Sequence, residues 1–299
     1  MKSKVSKWVL ILLVCATSAL FGQSKVSGTF KAGAAKIDIT PGENALPKNG
    51  FKRGIRDRLN VRAIVVDNTI TTAAMVSVDV GGVPYYIYLR AVQQIEKKTG
   101  IPAGNIVISA SHTHSSIQIP RENAENVDPN VAAFAANFEK SVVEVVIQAW
   151  KNLQPAQIGY MTGTSYLNVN RDAIDPVTRL WTQAPNYDGP SDKEISVVTF
   201  ESLAGEPIAV YYNFGMHPNS MYMSSIVSAD APGVASSYIE DYYNGKIVAL
   251  WSSSASGNQN PRYLQPMQDI EKQKSEVALS SGRAKNTDEA NRLAGFGGG

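Results

Sequence analysis

The run from "TAAMVSVDVGG" through "VPYYIYLRAVQQIEKKTG" to "NIVISA" constrains the fold more than any other part of the chain. Its outer segments are short and apolar, and the first stops at Gly81-Gly82. The middle segment places Ile87, Val92 and Ile95 at helical spacing, ends in lysines and has Gly100 where a C-cap belongs. A strand, a helix and a strand with joints this short form a βαβ unit, so the two strands run parallel. The remaining pattern extends the same class. "LNVRAIVVDN" reads as a strand turning at Asp67-Asn68. "DPNVAAFAANFEKSVVEVVIQAWKNLQ" reads as a long amphipathic helix, with Asp128 as N-cap and Pro129 at N1. "AQIGYMTGTSYLNVNR" is extended, "EISVVTFES" and "EPIAVYYNFG" flank "LAG" as a hairpin, and "KIVALWSSS" is one more strand. "DAPGVASSYIEDYYNG" is helical after Asp230, and a further helix begins at "SEVALSS" and gives way to glycines. The expectation is an α/β fold: a mixed, largely parallel sheet with flanking helices and a β-hairpin, its site at the C-terminal ends of the strands.

The first residues belong to a different class of segment. "MKSKVSK" is basic, "WVLILLVCATSALFG" is apolar and short for a membrane span, and "QSK" turns polar. That is the pattern of a secretory signal peptide over residues 1–23, with residues 24–299 as the exported domain, periplasmic or secreted; the alternative is an uncleaved membrane anchor. Its three lysines are matched by no acid, so removing it takes the net charge from +2 to −1. The basic balance is therefore a targeting signal and implies no nucleic-acid partner. The single cysteine, Cys15, leaves with it. The mature chain then has no disulfide and no thiolate, and any metal must sit on His, Asp, Glu or Tyr. The glycine-rich ending reads either as a domain that continues beyond it or as a natural flexible tail.

Chemistry gathers where strands end. The chain has three histidines. His112 and His114 follow "NIVISAS", and His217 follows "EPIAVYYNFGM". Residues i and i+2 of an extended segment point to the same side, so His112 and His114 can face one ion. Alternatively, they are hydrogen-bonded loop histidines; the placement of the third histidine after another strand favours the metal. Asp79 ends its strand beside the glycines, either to orient a histidine or to cap a helix. Asp230 precedes Ala231-Pro232-Gly233, first of all a helix N-cap and otherwise a partner to the site. Arg171 in "NVNRD" is suited to hold an anionic or carbonyl group, or to pack at the surface. The loop "SSSASGNQNPR" offers hydroxyls and backbone N–H groups for an oxyanion, without the G-x-S-x-G pattern of a serine nucleophile.

These segments together resemble the neutral/alkaline non-lysosomal ceramidase family, in its N-terminal catalytic domain. The resemblance runs through "AGAAKIDITP", "GIRDRLNVRAIVVDN", "MVSVDVGG", "NIVISASHTHS", "LNVNR", "GEPIAVYYNFGMHPNSM", "SADAPG" and "SGNQNP". It implies a zinc-dependent amidohydrolase in which zinc-activated water cleaves the N-acyl amide bond of ceramide or a related N-acyl lipid. It further implies that His112 and His217 ligate zinc, that His114 hydrogen-bonds substrate or water, and that Arg171 contacts the scissile group. Gly257, Asn258 and Asn260 would form the substrate loop and Asp79 would orient a histidine. A lipid substrate leaves room for peripheral membrane contact. The family completes its zinc shell with a Glu and a Tyr further along, and no matching segment precedes Gly299. Two departures stand out. "SIQIP" replaces a glycine- and proline-rich run after HTHS, and the later loop lacks the serine of G-D-V-S-P, so a serine mechanism is not carried over. Two alternatives remain: the same scaffold acting on a different amide or ester, and a non-catalytic exported binding protein or inactive fragment.

Overall fold

The computed structural model describes residues 30–47, 50–222 and 224–294. The signal-peptide expectation, residues 1–23, lies outside them. Strands β1 (Lys31–Asp38), β2 (Asn60–Asp67), β3 (Thr72–Val78), β4 (Ile106–Ala110), β5 (Gln154–Thr164), β8 (Glu194–Ser202), β9 (Pro207–Phe214) and β10 (Val248–Ser253) form one sheet, ordered β10-β9-β8-β5-β1-β2-β3-β4. Strands β6 (Asn168–Ile174), β7 (Trp181–Asn186) and β11 (Gln259–Pro261) form a second, ordered β11-β6-β7. The helices are α1 (Tyr85–Thr99), α2 (Pro129–Lys151), α3 (Asp230–Tyr242), α4 (Leu264–Ser280) and α5 (Thr287–Ala294).

The βαβ unit is β3-α1-β4, and its strands pair in parallel from Ala74↔Ile106 to Val78↔Ala110. Gly100 caps α1 in the left-handed region at φ 76°, and the Asp128 carboxylate accepts the Asn130 N–H at the start of α2. The expected hairpin is β8-β9. The sheet is mixed, as expected, but its parallel pairs are only β3-β4 and β9-β10, and the five pairs between are antiparallel. Antiparallel pairing therefore has the larger share. Two of the five, β2-β3 and β8-β9, are joined by turns too short for a crossover, and the other three pair strands further apart in the chain. The extended run after residue 154 splits at 165–167, where the chain leaves the large sheet for the small one. The late helix starts at Leu264, ahead of the expected segment.

The eight strands do not lie flat. Because side chains alternate across a strand, each half of the sheet has two faces to bury. On one side Val61, Ala63, Val65, Val76 and Val78 pack beneath α1 and α2, whose Ile87, Ile95, Phe138 and Val142 meet them. On the other, Ala32 and Ile64 meet Phe200, Ile208 and Leu250 from the opposite half of the same sheet. The outer face of β9 and β10, with Tyr212, Ala249 and Trp251, is covered by Ala231, Ala235 and Ile239 of α3. The sheet thus folds across itself between helical layers. Each well-buried Leu, Ile or Phe in such layers contributes about 1.5–3 kcal/mol. Folding over brings the C-terminal ends of β3 and β4 beside those of β9 and β10, as the Ser253 hydroxyl donating to the Ser111 carbonyl shows.

A candidate metal centre between two strand pairs

All three histidines meet there. Their ligand atoms lie within 4.8 Å of one another. His114 Nε2 is 2.9 Å from His217 Nε2 and 3.4 Å from His112 Nε2. His112 Nδ1 lies 2.6 Å from the Gly81 carbonyl, and His217 Nδ1 lies 3.3 Å from the Ser256 carbonyl. A carbonyl only accepts, so both Nδ1 atoms carry their protons and both Nε2 atoms present lone pairs. Lone pairs facing one another at these distances repel unless a proton or cation lies between them. Tetrahedral zinc with bonds of about 2.0–2.1 Å separates its nitrogen ligands by about 3.3–3.4 Å; the His112–His114 separation matches this, and the His114–His217 separation is shorter, the length of an N–H···N hydrogen bond. The donor set fits zinc in type as well, and the two carbonyls supply the outer contacts that fix ring orientation at such centres.

Local structure explains the placement. His112 follows β4 at φ 67°, a left-handed conformation uncommon outside Gly, though His, like Asn and Asp, enters it more readily than most side chains. Its N–H donates to the Val80 carbonyl, so the loop after β4 is tied to the loop after β3. The His114 N–H donates to the Pro218 carbonyl, and the His217 N–H donates to the Gln259 carbonyl in β11. Gln259 is itself buried and bonded to Asn168 and the Asp192 N–H, so the small sheet fixes the His217 segment. Burial holds the His217 imidazole down at about 4, with the Arg171 charge adding to it. Burial also lowers His114, with His112 and Arg171 adding and Asp230 opposing. Both imidazoles are thereby kept in the neutral form that binds metal or accepts a proton.

The other candidates divide. Arg171 reaches the His217 side, where its guanidinium donates to Asn260 Oδ1 at 3.2 Å and its N–H to the Asn258 carbonyl. Asn260 also accepts from Asn219. Gly257 and Asn258 are exposed beside buried Ser256. Asp79 is a correction: it contacts no histidine. Its carboxylate accepts from Arg62 and the Asn60 N–H, both at 2.9 Å, and Arg62 also binds Glu240 of α3. A carboxylate buried this deeply pairs with the nearest cation, and that cation is Arg62. Asp230 is likewise not the residue before its helix but the first within it, at φ 55°. Its carboxylate accepts the Ala231 and Met221 N–H groups, tying α3 to the segment that carries Tyr222. Burial raises it above the usual carboxylate range.

Sequence reasoning missed several neighbours. The Gly81 carbonyl was visible only as a strand stop. Tyr222, whose ring stands edge-on to His114 at 5.4 Å, carried no signal. Arg62 did carry one, as a lone charge in the apolar strand "NVRAIVVD".

Residues 30–297 match the family model described as neutral/alkaline non-lysosomal ceramidase, N-terminal. The chain is 26% identical to Neutral ceramidase A of Dictyostelium discoideum over 262 residues, 80% of this chain and 37% of that protein. It is 26% identical to Neutral ceramidase B of the same organism, over 82% of this chain and 37% of that one. Its fold is similar to the crystal structure of neutral ceramidase from Pseudomonas aeruginosa, with a TM-score of 0.65 at 22% identity, covering 90% of this chain and 43% of that one. A structure titled as ceramidase complexed with C2 matches with a TM-score of 0.66, over 89% of this chain and 44% of that one. The chain spans well under half the length of these relatives. It belongs to the neutral/alkaline non-lysosomal ceramidase family.

Proposed function

We propose that residues 24–299 form the histidine-bearing part of an exported, zinc-dependent amidohydrolase that cleaves the N-acyl amide bond of ceramide or a related N-acyl lipid. Residues 1–23 would direct export as a cleaved signal peptide. The convergence of three imidazoles, two of them with Nδ1 anchored to carbonyls, carries this reading. Family membership supplies the reaction class, and the relatives named ceramidases supply the substrate class. No helix among the described residues is long and apolar enough to cross a membrane.

In this reading His112 and His217 hold the ion. Zinc, when bound, supplies Lewis acidity that makes a water nucleophilic near neutral pH. His114 is the histidine with no carbonyl on Nδ1 among the described contacts; its Nε2 faces those of the other two, and its neutral ring would accept the proton of the attacking water and return it to the leaving nitrogen. Arg171, oriented by Asn260, would hold the carbonyl side of the substrate. Asp79, paired to Arg62, acts on packing and not on the histidines.

Zinc content of the purified protein, measured beside His112→Ala, tests the centre. About one zinc per chain, lost in the variant together with hydrolysis of a short-chain ceramide, is the expected result. Full hydrolytic activity in His112→Ala would sink the assignment. Faster cleavage of water-soluble amides than of N-acyl lipids would leave the centre standing and remove the lipid.

A further inference from the structure

The cleft over the histidines has a wall that the proposed reaction does not use. It encloses about 430 Å³ and is lined by His112 and His114 together with Val83, Pro84, Ile119, Tyr222 and Arg121. No carboxylate lines it. Arg121 is exposed and has no ion-pair partner among the described residues. The adjacent acid, Glu122, is drawn away to Arg90 at 3.6 Å, and Arg90 also faces Glu139 and lies over the Tyr86 ring. The backbone before Arg121 is pinned, because the Tyr86 hydroxyl donates to the Pro120 carbonyl at 3.1 Å. An arginine anchored through its neighbouring backbone therefore lines a largely apolar cleft beside His112 and His114, without an internal counter-charge.

Resting on the reading of this cleft as an amide-hydrolysing site, we infer that it selects N-acyl amides bearing an anionic group, a carboxylate, sulfonate or phosphate, with Arg121 as the residue that binds it. The apolar wall of Val83, Pro84 and Ile119 takes hydrocarbon, and the planar fork of Arg121 suits an oxyanion better than a lysine would. Exposure limits the gain: a partly solvated charge-assisted contact is worth about five- to tenfold in affinity, less at high salt.

The test is calorimetric binding of N-decanoylglycine and of uncharged N-decanoylethanolamine to the 299-residue protein, below micelle-forming concentrations. The wild type should bind the anion about five- to tenfold more tightly. Arg121→Gln should abolish that preference without changing affinity for the neutral amide, and Arg121→Lys should keep part of it. Equal binding of the two ligands, or a preference that survives Arg121→Gln, overturns the inference. Phosphatidylcholine vesicles with and without phosphatidylglycerol distinguish the other source of anions. If Arg121→Gln weakens only vesicle binding, Arg121 reads a membrane surface and the substrate inference fails. Turnover by the zinc-loaded protein separates the two levels. Binding preference without turnover removes the hydrolase reading and leaves the selectivity, whereas turnover without preference does the reverse.

Discussion

Arg62 shows how much one side chain can settle. It sits on a strand buried on both faces, 2% exposed, and its guanidinium joins Asp79 of one strand end to Glu240 of α3. Burial pushes Glu240 upward, but Arg62, Lys36 and the Ala249 N–H together outweigh it and hold the carboxyl below its usual range. For Asp79, burial prevails and raises it despite Arg62. Removing the cation leaves two buried acids, of which only Glu240 keeps a partner cation, the part-exposed Lys36. Arg62→Met should therefore cost about 3–5 kcal/mol, read as a fall in Tm of roughly 10 °C. A loss of under about 1 kcal/mol would show that the network is solvated and contributes little. His112 is different in kind. Its left-handed backbone spends stability to aim the ring, a form of strain that clusters at functional sites.

At the scale of elements, α2 lies close upon β1. Gly33 makes that approach. A Cβ there would meet the α2 C-terminus, with Asn152 C and Leu153 N each at 2.7 Å and the Ala149 carbonyl nearer still. These are backbone atoms and cannot swing away. Gly33→Ala should push helix and strand apart at a cost of about 1–3 kcal/mol, measured by chemical denaturation. Because β1 carries the register of β2, and β2 that of β3, hydrolysis should fall with it while zinc affinity falls less. Unchanged stability would mean that the helix has slack at this end.

For the whole molecule, the three histidines are placed to act as a clasp once a metal is bound. His112 and His114 follow one edge strand of the large sheet, β4, and His217 follows β9 next to the other edge. A zinc ion held between His112 and His217, as proposed, would join the ends of β4 and β9, which are far apart in the chain. Binding to the folded state alone stabilises by mass action, about 2.7 kcal/mol at 100 times Kd. Zinc should then raise the Tm of the chelator-stripped protein by roughly 5–10 °C, and His217→Ala should abolish the shift. An equal shift in that variant would place the ion elsewhere.

Periodicity and punctuation were enough for local structure. The βαβ unit, the Asp128 and Gly100 caps and the β8-β9 hairpin follow from residue spacing and turn chemistry, which act within a few residues. The three histidines were legible as a group because each follows a strand. Sequence could not say that antiparallel pairs dominate, since partner choice between distant strands leaves no local trace. Nor could it place Asp79 against Arg62 and Glu240, because a carboxylate takes whichever cation the fold delivers. The residue types of the centre were written in the chain. Their convergence, and the Gly81 and Ser256 carbonyls that aim two of the rings, came only from the sheet folding over itself to bury both faces.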